Sequence, residues 1–390
     1  MKVAIFTDTF LPQINGVTKN LSKQLEFFEK EGISYQVFAP DFKSDDKNED
    51  TFNTYRVPSL GFFLYPECRL SIPHYYKIKR ILKEYDPDII HTVTQFNLGL
   101  CGLKYANKLN IPLINSYHTN FSQYLHYYSL KFLKKPVWSF LRWFHNQGQY
   151  NLCPSQITKK ELKNKGIKNL KVVTRGINHN KFSPIHRDQR LREKLNLKDK
   201  LCLLYVGRLA PEKNIEILID SIKKLNENYK NKIKLVLTGD GPSKSKLIKM
   251  APDNVHFTGY LTGQDLEKIY ASADIFTFSS ITETYGNVIL EAMSSGLPVV
   301  AMLEGGVKEN LVDEYNGLAC YNNNVEELTG NIERLITNTD LRQKLAKNAR
   351  KYALSQTWDK VYIKLINIYQ EAIKPTQNQK RKKELGVIKD

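Results

Sequence analysis

Short apolar runs and longer amphipathic stretches alternate along most of this 390-residue chain. The run at 2–8, for example, is followed by an amphipathic stretch at 17–30. Such runs are typical of buried strands, and such stretches of helices that cover one face of a sheet. Their alternation predicts right-handed βαβ units and doubly wound parallel sheets, which is an α/β fold. Other strands are predicted at 34–40, 86–93, 111–118, 200–208, 233–241, 255–260, 274–280 and 298–303, and other helices at 74–85, 98–109, 214–229, 244–251, 264–273 and 288–296.

A polar, charged segment near 183–197 interrupts the alternation. The chain is also too long for one ordinary hydrophobic core, so a domain is expected on each side of this segment. Ligands of doubly wound sheets bind outside the carboxyl ends of the strands. The sequence therefore predicts two Rossmann-like domains that face a central cleft. The predicted parts are an N-terminal domain at 1–182, a C-terminal domain at 198–355, a helix at about 358–373 that returns to the N-terminal domain, and a basic, flexible tail at 374–390.

Several features of the sequence exclude a secreted, membrane-spanning or zinc-binding protein. No apolar run reaches the roughly 18 to 20 residues that span a bilayer. The N-terminus lacks the cleavage site of a signal peptide. Five scattered cysteines never form a C-x-x-C pair, so we expect buried, reduced thiols. These features predict a cytoplasmic protein with no bound metal. The cysteines are Cys68, Cys101, Cys153, Cys202 and Cys320.

The chain is strongly basic, with 58 Lys and Arg against 40 Asp and Glu and a net charge of +18. Such a charge suits nucleic acid, an anionic membrane surface or a phosphorylated substrate. A bias towards Lys, Asn and Ile, as in proteins from AT-rich genomes, would also account for part of the charge. No recognised nucleic-acid motif is present, so nucleic acid is not an expected partner.

Two cations lie five positions apart in a predicted loop between a strand and a helix. Arg208 follows Gly207 at the end of the strand, and Lys213 precedes the helix. Arginine offers a planar fork of donors and lysine a point charge, so together they can bind a diphosphate. The alternative is a pair of solvated loop cations.

Two other predicted loops carry glycines that suit an anion. Gly16 lies just before a helix, where the backbone N–H groups attract anions. Gly239 belongs to the turn LTGDGP, which lacks the full G-x-G-x-x-G pattern of a phosphate loop. Alternatively, Gly16 is a simple turn glycine that binds no anion.

The stretch ETYGNVILEAMSSGLPVV places Glu283 and Glu291 around a helix that is predicted to begin near Tyr285. A diphosphate repels carboxylates, so sugar hydroxyls are their better ligands. For Glu283 the alternative is a favourable contact with the helix dipole, worth roughly 0.3 to 1 kcal/mol. Glu291 lies in an apolar stretch and needs a partner, because unpaired burial of a carboxylate is costly.

These motifs carry a family resemblance that extends over most of the chain. The Glu-x7-Glu pattern of Glu283 and Glu291 resembles the signature of retaining glycosyltransferases of family 4, whose GT-B architecture has two Rossmann-like domains. VGRLAPEKN resembles that family's Arg/Lys diphosphate loop, EGGVKENLVDEYNGLAC its Gly-Gly segment, and RGINHNKFSP the end of its N-terminal domain. DTFLPQINGVT, YPECRLSIP and SYHTNFSQYL resemble a subgroup that includes GDP-mannose-dependent α-mannosyltransferases and diacylglycerol glycosyltransferases.

The resemblance implies that 1–182 binds the acceptor and that 198–355 binds a nucleotide-sugar donor. Arg208 and Lys213 would neutralise the donor diphosphate, and Glu283 would hold the 3- and 4-hydroxyls of the sugar. The implied catalytic residues are Arg208, Lys213, Glu283 and His118. The implied donor-binding residues are Gly16, Gly207, Arg208, Lys213, Gly239, Glu283, Tyr285, Gly286, Asn287, Val288 and Glu291.

Three further roles follow from the same resemblance. Glu291 would bind the ribose hydroxyls, and Gly16 would let the N-terminal loop close over the phosphate. His118 would lie near the 6-hydroxyl of the donor sugar, although a lone histidine is more often structural. The backbone N–H groups of Tyr285, Gly286 and Asn287 would assist Glu283.

The expected reaction is transfer of a hexose with retention of configuration, from a UDP-glucose or GDP-mannose type of donor. Two cations and a helix N-terminus would stabilise the leaving diphosphate, so neither a metal nor another cofactor is expected. A sugar-nucleotide epimerase of the same fold, with no acceptor, is an alternative. A catalytically inactive scaffold is disfavoured because Arg208, Lys213, Glu283 and Glu291 occur together.

The expected acceptor is a lipid or a lipid-linked or cell-envelope glycan at the inner face of the cell membrane. The segment 129–147 interleaves cations with Trp and Phe, which suits an anionic membrane interface, and the tail at 374–390 is polybasic. Packing of these aromatic residues into the N-terminal core is one alternative reading. A soluble or polysaccharide acceptor is another.

Overall fold

The computed structural model describes residues 1–13, 15–42, 52–61, 69–118, 134–283 and 285–384, and only the backbone at 134 and 376–384. The chain divides into two compact units. Unit 1 consists of Met1–Thr174 and Asp359–Asp390, and unit 2 consists of Arg175–Trp358.

Unit 1 contains a parallel sheet of seven strands. Its main strands are β1 Lys2–Phe6, β2 Ser34–Pro40, β3 Thr54–Val57, β6 Ile89–Thr92, β7 Leu113–Ser116, β8 Tyr150–Cys153 and β9 Leu170–Val172, and β4 Ser59–Gly61 and β5 Arg69–Ser71 form a separate antiparallel pair. The order across the sheet is β3-β2-β1-β6-β7-β8-β9. Because the chain continues first to one side of β1 and then to the other, the strand order reverses between β1 and β6.

The helices of unit 1 cover the sheet with their apolar faces. They are α1 Gly16–Lys30, α2 Tyr75–Tyr85, α3 Asn97–Leu109, α4 Lys134–His145 and α5 Gln156–Asn164. In α1 the Asn15 side chain accepts from the N–H groups of Val17 and Thr18, and the N–H of Asn15 donates to the Thr18 hydroxyl at 2.9 Å, which completes a capping box. Leu25 and Phe28 of the same helix are fully buried.

Unit 2 contains a parallel sheet of six strands with the Rossmann strand order. The strands are β10 Leu201–Val206, β11 Ile233–Thr238, β12 Val255–Gly259, β13 Ile275–Phe278, β14 Val299–Met302 and β15 Gly317–Cys320. Their order is β12-β11-β10-β13-β14-β15, which is the 3-2-1-4-5-6 arrangement of dinucleotide-binding sheets. The strand order reverses between β10 and β13, and that is where ligands of such sheets bind.

The helices of unit 2 are α6 Gln189–Lys194, α7 Ile215–Tyr229, α8 Lys244–Met250, α9 Gly263–Ser272, α10 Asn287–Ser294, α11 Val325–Thr337 and α12 Thr339–Leu354. Short 3-10 helices occur at Pro184–His186, Pro211–Lys213 and Gly305–Glu309. The two sheets confirm the predicted α/β class with doubly wound parallel strands.

The segment predicted as a linker, 183–197, lies within unit 2. Its helix α6 carries Arg192, whose side chain is buried and forms an ion pair with Asp274 at 3.0 Å. Arg187 forms a second ion pair with the same carboxylate at 3.0 Å. Two of the charges in this polar segment therefore fasten it to unit 2.

The C-terminal helix α13, Trp358–Glu384, covers the helix predicted at about 358–373 and continues through Pro375. From Asp359 onward it belongs to unit 1. The buried hydroxyl of Tyr369 lies 2.7 Å from Nδ1 of His91 and accepts from Nε2 of Gln24 at 3.2 Å. Burial lowers the pKa of His91 to about 3, so this histidine is neutral in the core. Residues 385–390 lie outside the described residues, and the flexibility of the tail stays a prediction.

Two features bear on cysteine chemistry and on membrane spans. Cys101, Cys153, Cys202 and Cys320 are free and buried as expected, and Cys68 lies outside the described residues. Burial raises the pKa of the Cys202 thiol to about 12.

None of the described helices combines the length and the apolarity that crossing a bilayer requires.

Candidate active site

The two loops at the switch point of unit 2 carry three of the four predicted catalytic residues. The loop after β10 holds Arg208 and Lys213, and the loop after β13 holds Glu283. Because β10 and β13 are neighbouring parallel strands, their carboxyl ends meet at the same edge of the sheet. Side chains that are 70 positions apart in sequence are thereby brought together.

Lys213 and Glu283 form a direct ion pair between Nζ and Oε1. The side chains are 17% and 19% exposed, so the pair is shielded from most of the solvent. The hydroxyl of Ser280 also donates to Oε1 of Glu283, at 3.3 Å. The sequence assigned these two residues to different parts of a ligand, but it gave no sign that they contact each other.

Three hydroxyl groups fasten the two loops in place. Ser279 donates to the carbonyl oxygen of Lys213 at 2.9 Å, and Thr282 donates to that of Glu212 at 3.3 Å. The buried Tyr205 donates to the carbonyl oxygen of Arg208 at 3.3 Å, while Arg208 itself is exposed. The backbone of both loops is therefore held independently of the ion pair.

Gly239 supports the same loop from the neighbouring strand β11. The N–H of Gly207 donates to the carbonyl oxygen of Thr238 at 3.0 Å. Gly239 has a φ of 138°, and a Cβ added there would lie 1.9 Å from the carbonyl oxygen of Gly207. A side chain at this position would displace the loop that carries Arg208, which gives Gly239 a packing role besides its predicted contact with the donor.

The Gly-Gly segment noted in the sequence, Gly305 and Gly306, contacts the backbone of Glu283. The N–H of Gly306 donates to the carbonyl oxygen of Glu283 at 2.6 Å. Gly305 has a φ of 52°, and a Cβ added there would lie 2.5 Å from the same oxygen. These two glycines were not among the predicted site residues, although their motif had been recognised. They fix the backbone from which the Glu283 side chain projects.

Helix α10 begins at Asn287, two residues after the predicted start near Tyr285 and one residue before the predicted range 288–296. Gly286 is the N-cap residue with a φ of 77°, a left-handed conformation that glycine adopts without strain. Asn287 and Val288 are the first two residues of the helix, and the first N–H groups of a helix have no partner inside it. A helix N-terminus is therefore present after β13, and its binding of an anion stays a prediction.

Tyr285 packs into unit 2 instead of standing at the helix start. Its ring is buried, and its hydroxyl donates to the carbonyl oxygen of Arg175 at 3.2 Å. Its own carbonyl oxygen accepts from the side chain of Asn310 at 2.7 Å. The predicted contact of Tyr285 with the donor can thus involve its backbone only.

Glu291 has the partner that its apolar surroundings require. The hydroxyl of the fully buried Tyr270 donates to Oε2 of Glu291 at 2.8 Å. Burial, together with the charge of Glu291, raises the pKa of Tyr270 well above its ordinary value. The hydroxyl therefore remains a donor over the whole physiological range of pH.

The two remaining predicted residues, Gly16 and His118, belong to unit 1. Gly16 is the first residue of α1, and a Cβ added there would meet no heavy atom within 4 Å. His118 follows β7 by two residues and is half-buried. The residues directly after it, 119–133, lie outside the described residues, as do 65–68 of the YPECRLSIP motif.

Sequence reasoning missed a buried carboxylate at the switch point of unit 1. Asp8 follows β1 and accepts from the hydroxyl of Thr94 at 2.7 Å and from the N–H of Leu98 at 2.8 Å. Burial raises the pKa of Asp8 to about 6, and these hydrogen bonds oppose the increase. Asp8 thus joins the end of β1 to the start of α3. The aspartate after the first strand was a visible signal that the sequence reading left unused.

Within the described residues no group of three or more His, Cys, Asp or Glu side chains could hold a metal ion. Among the described residues, the two switch-point loops carry the cations Arg208 and Lys213, the carboxylate Glu283, the buried carboxylate Glu212 and several hydroxyl groups. This donor set suits a phosphorylated ligand that carries hydroxyl groups.

Comparison with known proteins gives the family. The profile described as "Glycosyl transferases group 1" matches residues 187–352, and that described as "Glycosyltransferase Family 4" matches residues 14–181. A GDP-mannose-dependent alpha-mannosyltransferase of Mycobacterium tuberculosis is 32% identical over 95% of this chain and 96% of its own. An alpha-monoglucosyldiacylglycerol synthase of Streptococcus pneumoniae is 34% identical over 88% of this chain and 80% of its own.

A solved structure supports the fold. HepE from Anabaena, in complex with UDP, superposes with a TM-score of 0.78 over 95% of this chain and 100% of its own, at 20% identity. The chain has the GT-B fold with its two parallel-sheet domains. It belongs to the group 1 glycosyltransferases, in glycosyltransferase family 4.

Proposed function

We propose that the protein is a retaining, metal-independent hexosyltransferase that uses a nucleotide-diphosphate sugar and glycosylates a lipid or lipid-linked acceptor at the inner face of the cell membrane. One observation carries the donor half of the proposal. The switch point of unit 2 carries Arg208, Lys213 and Glu283 on two loops. The hydroxyls of Tyr205 and Ser279 hold the backbone of the first loop by donating to its carbonyl oxygens.

The chemistry follows from the charge that develops when the donor breaks. Cleavage of the anomeric C–O bond leaves positive charge on the sugar and an added negative charge on the nucleotide diphosphate. Arg208, Lys213 and the N-terminus of α10 supply fixed positive charge and N–H donors for that group. We therefore expect no metal to be needed for departure of the diphosphate.

The carboxylates bind hydroxyl groups in this proposal. Glu283 accepts from the 3- and 4-hydroxyls of the sugar, and Glu291 accepts from the ribose hydroxyls. The acceptor hydroxyl attacks the anomeric carbon on the face that the diphosphate leaves. A donor phosphate oxygen takes the hydroxyl proton, so a new C–O bond replaces the old one with the same configuration.

The first support for a lipid acceptor comes from similar proteins. The curated names of two of them specify a diacylglycerol product in Streptococcus pneumoniae and a GDP-mannose donor in Mycobacterium tuberculosis. One name gives GDP-mannose as the donor, and the other gives a glucosylated product without naming a donor, so both UDP-glucose and GDP-mannose are tested.

An exposed apolar and cationic surface of unit 1 supports a membrane location. Leu60 and Leu70 are partners across the β4-β5 pair, and both are exposed, at 59% and 37%. Ile72 and Tyr76 follow, at 60% and 76% exposed. The stretch 69–83 contains five Lys or Arg residues and no Asp or Glu. Arg80 pairs with Glu84 at 3.7 Å, and the other four cations form no ion pair with a carboxylate in the part of the chain that the structure describes. Apolar and tyrosine side chains beside a net excess of cations match the interface of an anionic bilayer.

Helix α4 adds a second exposed aromatic surface within the predicted segment 129–147. Trp143 and Phe140 are 49% and 36% exposed, whereas Phe144 is fully buried in unit 1. The helix therefore combines the two predictions made for this segment. One face packs into the core of unit 1, and the other is exposed, as a membrane interface would require. Residues 129–133 lie outside the described residues.

The function is tested by supplying UDP-glucose or GDP-mannose to the protein, with vesicles that contain diacylglycerol or a monoglycosylated diacylglycerol, in the presence of EDTA. We expect an α-linked glycolipid, identified by mass spectrometry and by the anomeric proton coupling. Isomerised sugar nucleotide formed without acceptor would instead indicate an epimerase. Product formed only with soluble glycans would overturn the lipid acceptor, and a loss of activity with EDTA would overturn metal independence.

The membrane surface is tested by flotation with phosphatidylglycerol vesicles. We expect the wild type to bind and binding to fall with salt, and the double variant Ile72→Ser/Tyr76→Ser to bind about tenfold more weakly, because two side chains that would enter the interface are lost. The matched control is Ile248→Ser/Tyr260→Ser, which replaces the same residue types at 50% and 62% exposure in unit 2. Equal binding by both double variants would contradict this assignment.

A further inference from the structure

Tyr270 lies at the end of α9 with its side chain fully buried in unit 2. Its ring meets the ring of Phe182 edge-on at a centroid distance of 5.4 Å and lies 5.9 Å from the ring of Phe276. These aromatic contacts hold the ring in one position and would hold a phenylalanine equally well. Packing alone therefore gives no reason for a hydroxyl group here.

The hydroxyl of Tyr270 is directed at Glu291. It donates to Oε2 at 2.8 Å, which is a normal distance for a hydrogen bond from a hydroxyl to a carboxylate. Glu291 is only half-buried, and a glutamate with three side-chain torsions can adopt several conformations at such a position. A rigid donor on Oε2 selects one of them and sets the plane of the carboxylate.

We infer that Tyr270 is a positioning residue for donor binding. It holds the carboxylate of Glu291 in the orientation in which that group accepts hydrogen bonds from the ribose hydroxyls of the nucleotide. This inference rests on the ribose role of Glu291 in the proposed function. Tyr270 reaches the nucleotide only through Glu291, so its hydroxyl governs affinity for the ribose and not the breaking of the sugar–phosphate bond.

The variant Tyr270→Phe removes one oxygen atom and retains the ring. We expect it to raise the Kd of the nucleoside diphosphate and the KM of the donor about tenfold, with kcat at saturating donor unchanged, because a preorganised charge-assisted hydrogen bond is lost. If the hydroxyl only stabilised the packing, its loss would lower the melting temperature and weaken the binding of all ligands to the same extent. The matched control is Tyr321→Phe, which removes a hydroxyl that donates to the Asp313 carboxylate at 3.1 Å at the end of edge strand β15.

Binding of nucleoside diphosphates with and without the ribose 2′- and 3′-hydroxyls separates positioning from packing. We expect the wild type and Tyr321→Phe to bind the ribose form about tenfold more tightly than the dideoxy form, and Tyr270→Phe to lose most of that preference. The dideoxy form should bind equally to all three proteins. If Tyr270→Phe keeps the ribose preference, or weakens both ligands equally, the inference is overturned.

Glu291→Gln distinguishes failure of this inference from failure of the proposed function. If Glu291→Gln loses the ribose preference and Tyr270→Phe keeps it, Glu291 binds ribose without help from Tyr270. If neither variant loses the preference, the ribose role of Glu291 is itself wrong, and the inference falls with it. In the double variant we expect no loss of preference beyond that of Glu291→Gln, since both changes act on one interaction.

Discussion

Replacing Lys213 with alanine is expected to lower kcat/KM for hexose transfer by about 10³-fold, because a fixed cation at the leaving diphosphate is lost. The variant should remain folded. The loop keeps its backbone hydrogen bonds from Ser279 and Thr282, and the Glu283 side chain, which is 19% exposed, retains access to water. Transfer is measured at several donor concentrations, and folding by circular dichroism and melting temperature.

The control for this change is Lys224→Ala. Lys224 also forms an ion pair with a glutamate of unit 2, Glu326, but the pair joins the exposed surfaces of α7 and α11. We expect this control to transfer hexose at the wild-type rate. Arg208→Ala should resemble Lys213→Ala. Wild-type turnover in both Lys213→Ala and Arg208→Ala would show that the diphosphate binds elsewhere.

The inner strands β10 and β11 of unit 2 were readable from sequence because a parallel sheet covered on both faces buries nearly every side chain of its inner strands. β10 and β11 are therefore almost uninterrupted apolar runs, and the structure places them within the predicted 200–208 and 233–241. β9 is only three residues long and partly buried, so it offered no such run and was missed.

The segment 183–197 shows where composition misleads. Its polar, charged composition was interpreted as a linker between domains, but Arg187 and Arg192 both bind Asp274, which lies more than 80 positions away. Local composition cannot distinguish a solvated arginine from one that pairs with a distant carboxylate. The start of α10 was misplaced for a related reason, since the left-handed backbone of Gly286 is set by its surroundings.

Several residues of the candidate site could be named from the sequence, but their contacts could not. Local motifs identified Lys213, Glu283 and Glu291, because each lies in a loop or helix with a recognisable pattern. The contact between Lys213 and Glu283 depends on β10 and β13 being neighbours, and the contact between Tyr270 and Glu291 joins α9 to α10, which lie on either side of β13 in the sequence. Both follow from strand order and helix packing, which no single stretch of sequence contains.

The ion pair also predicts that Glu283→Gln will have opposite effects on two ligands. In the ligand-free protein the carboxylate of Glu283 neutralises the ammonium group of Lys213. A nucleoside diphosphate without its sugar must compete with that carboxylate for Lys213. It has no sugar hydroxyls that could donate to the carboxylate. Glutamine has the same shape and no charge, so the variant should bind the nucleoside diphosphate about fivefold more tightly, which corresponds to the roughly 1 kcal/mol of such a pair.

The intact donor should respond in the other direction, because the sugar hydroxyls lose a charged acceptor when Glu283 becomes glutamine. We expect kcat/KM for transfer to fall about 10²-fold while calorimetry shows tighter binding of the nucleoside diphosphate. Glu326→Gln, which neutralises the partner of Lys224, should change neither quantity. Weaker binding of both ligands to Glu283→Gln would mean that the carboxylate supports the diphosphate site instead of competing with it. Glu283 would then be needed to hold the ammonium group of Lys213 in place, and the separate roles given to the two residues would be wrong.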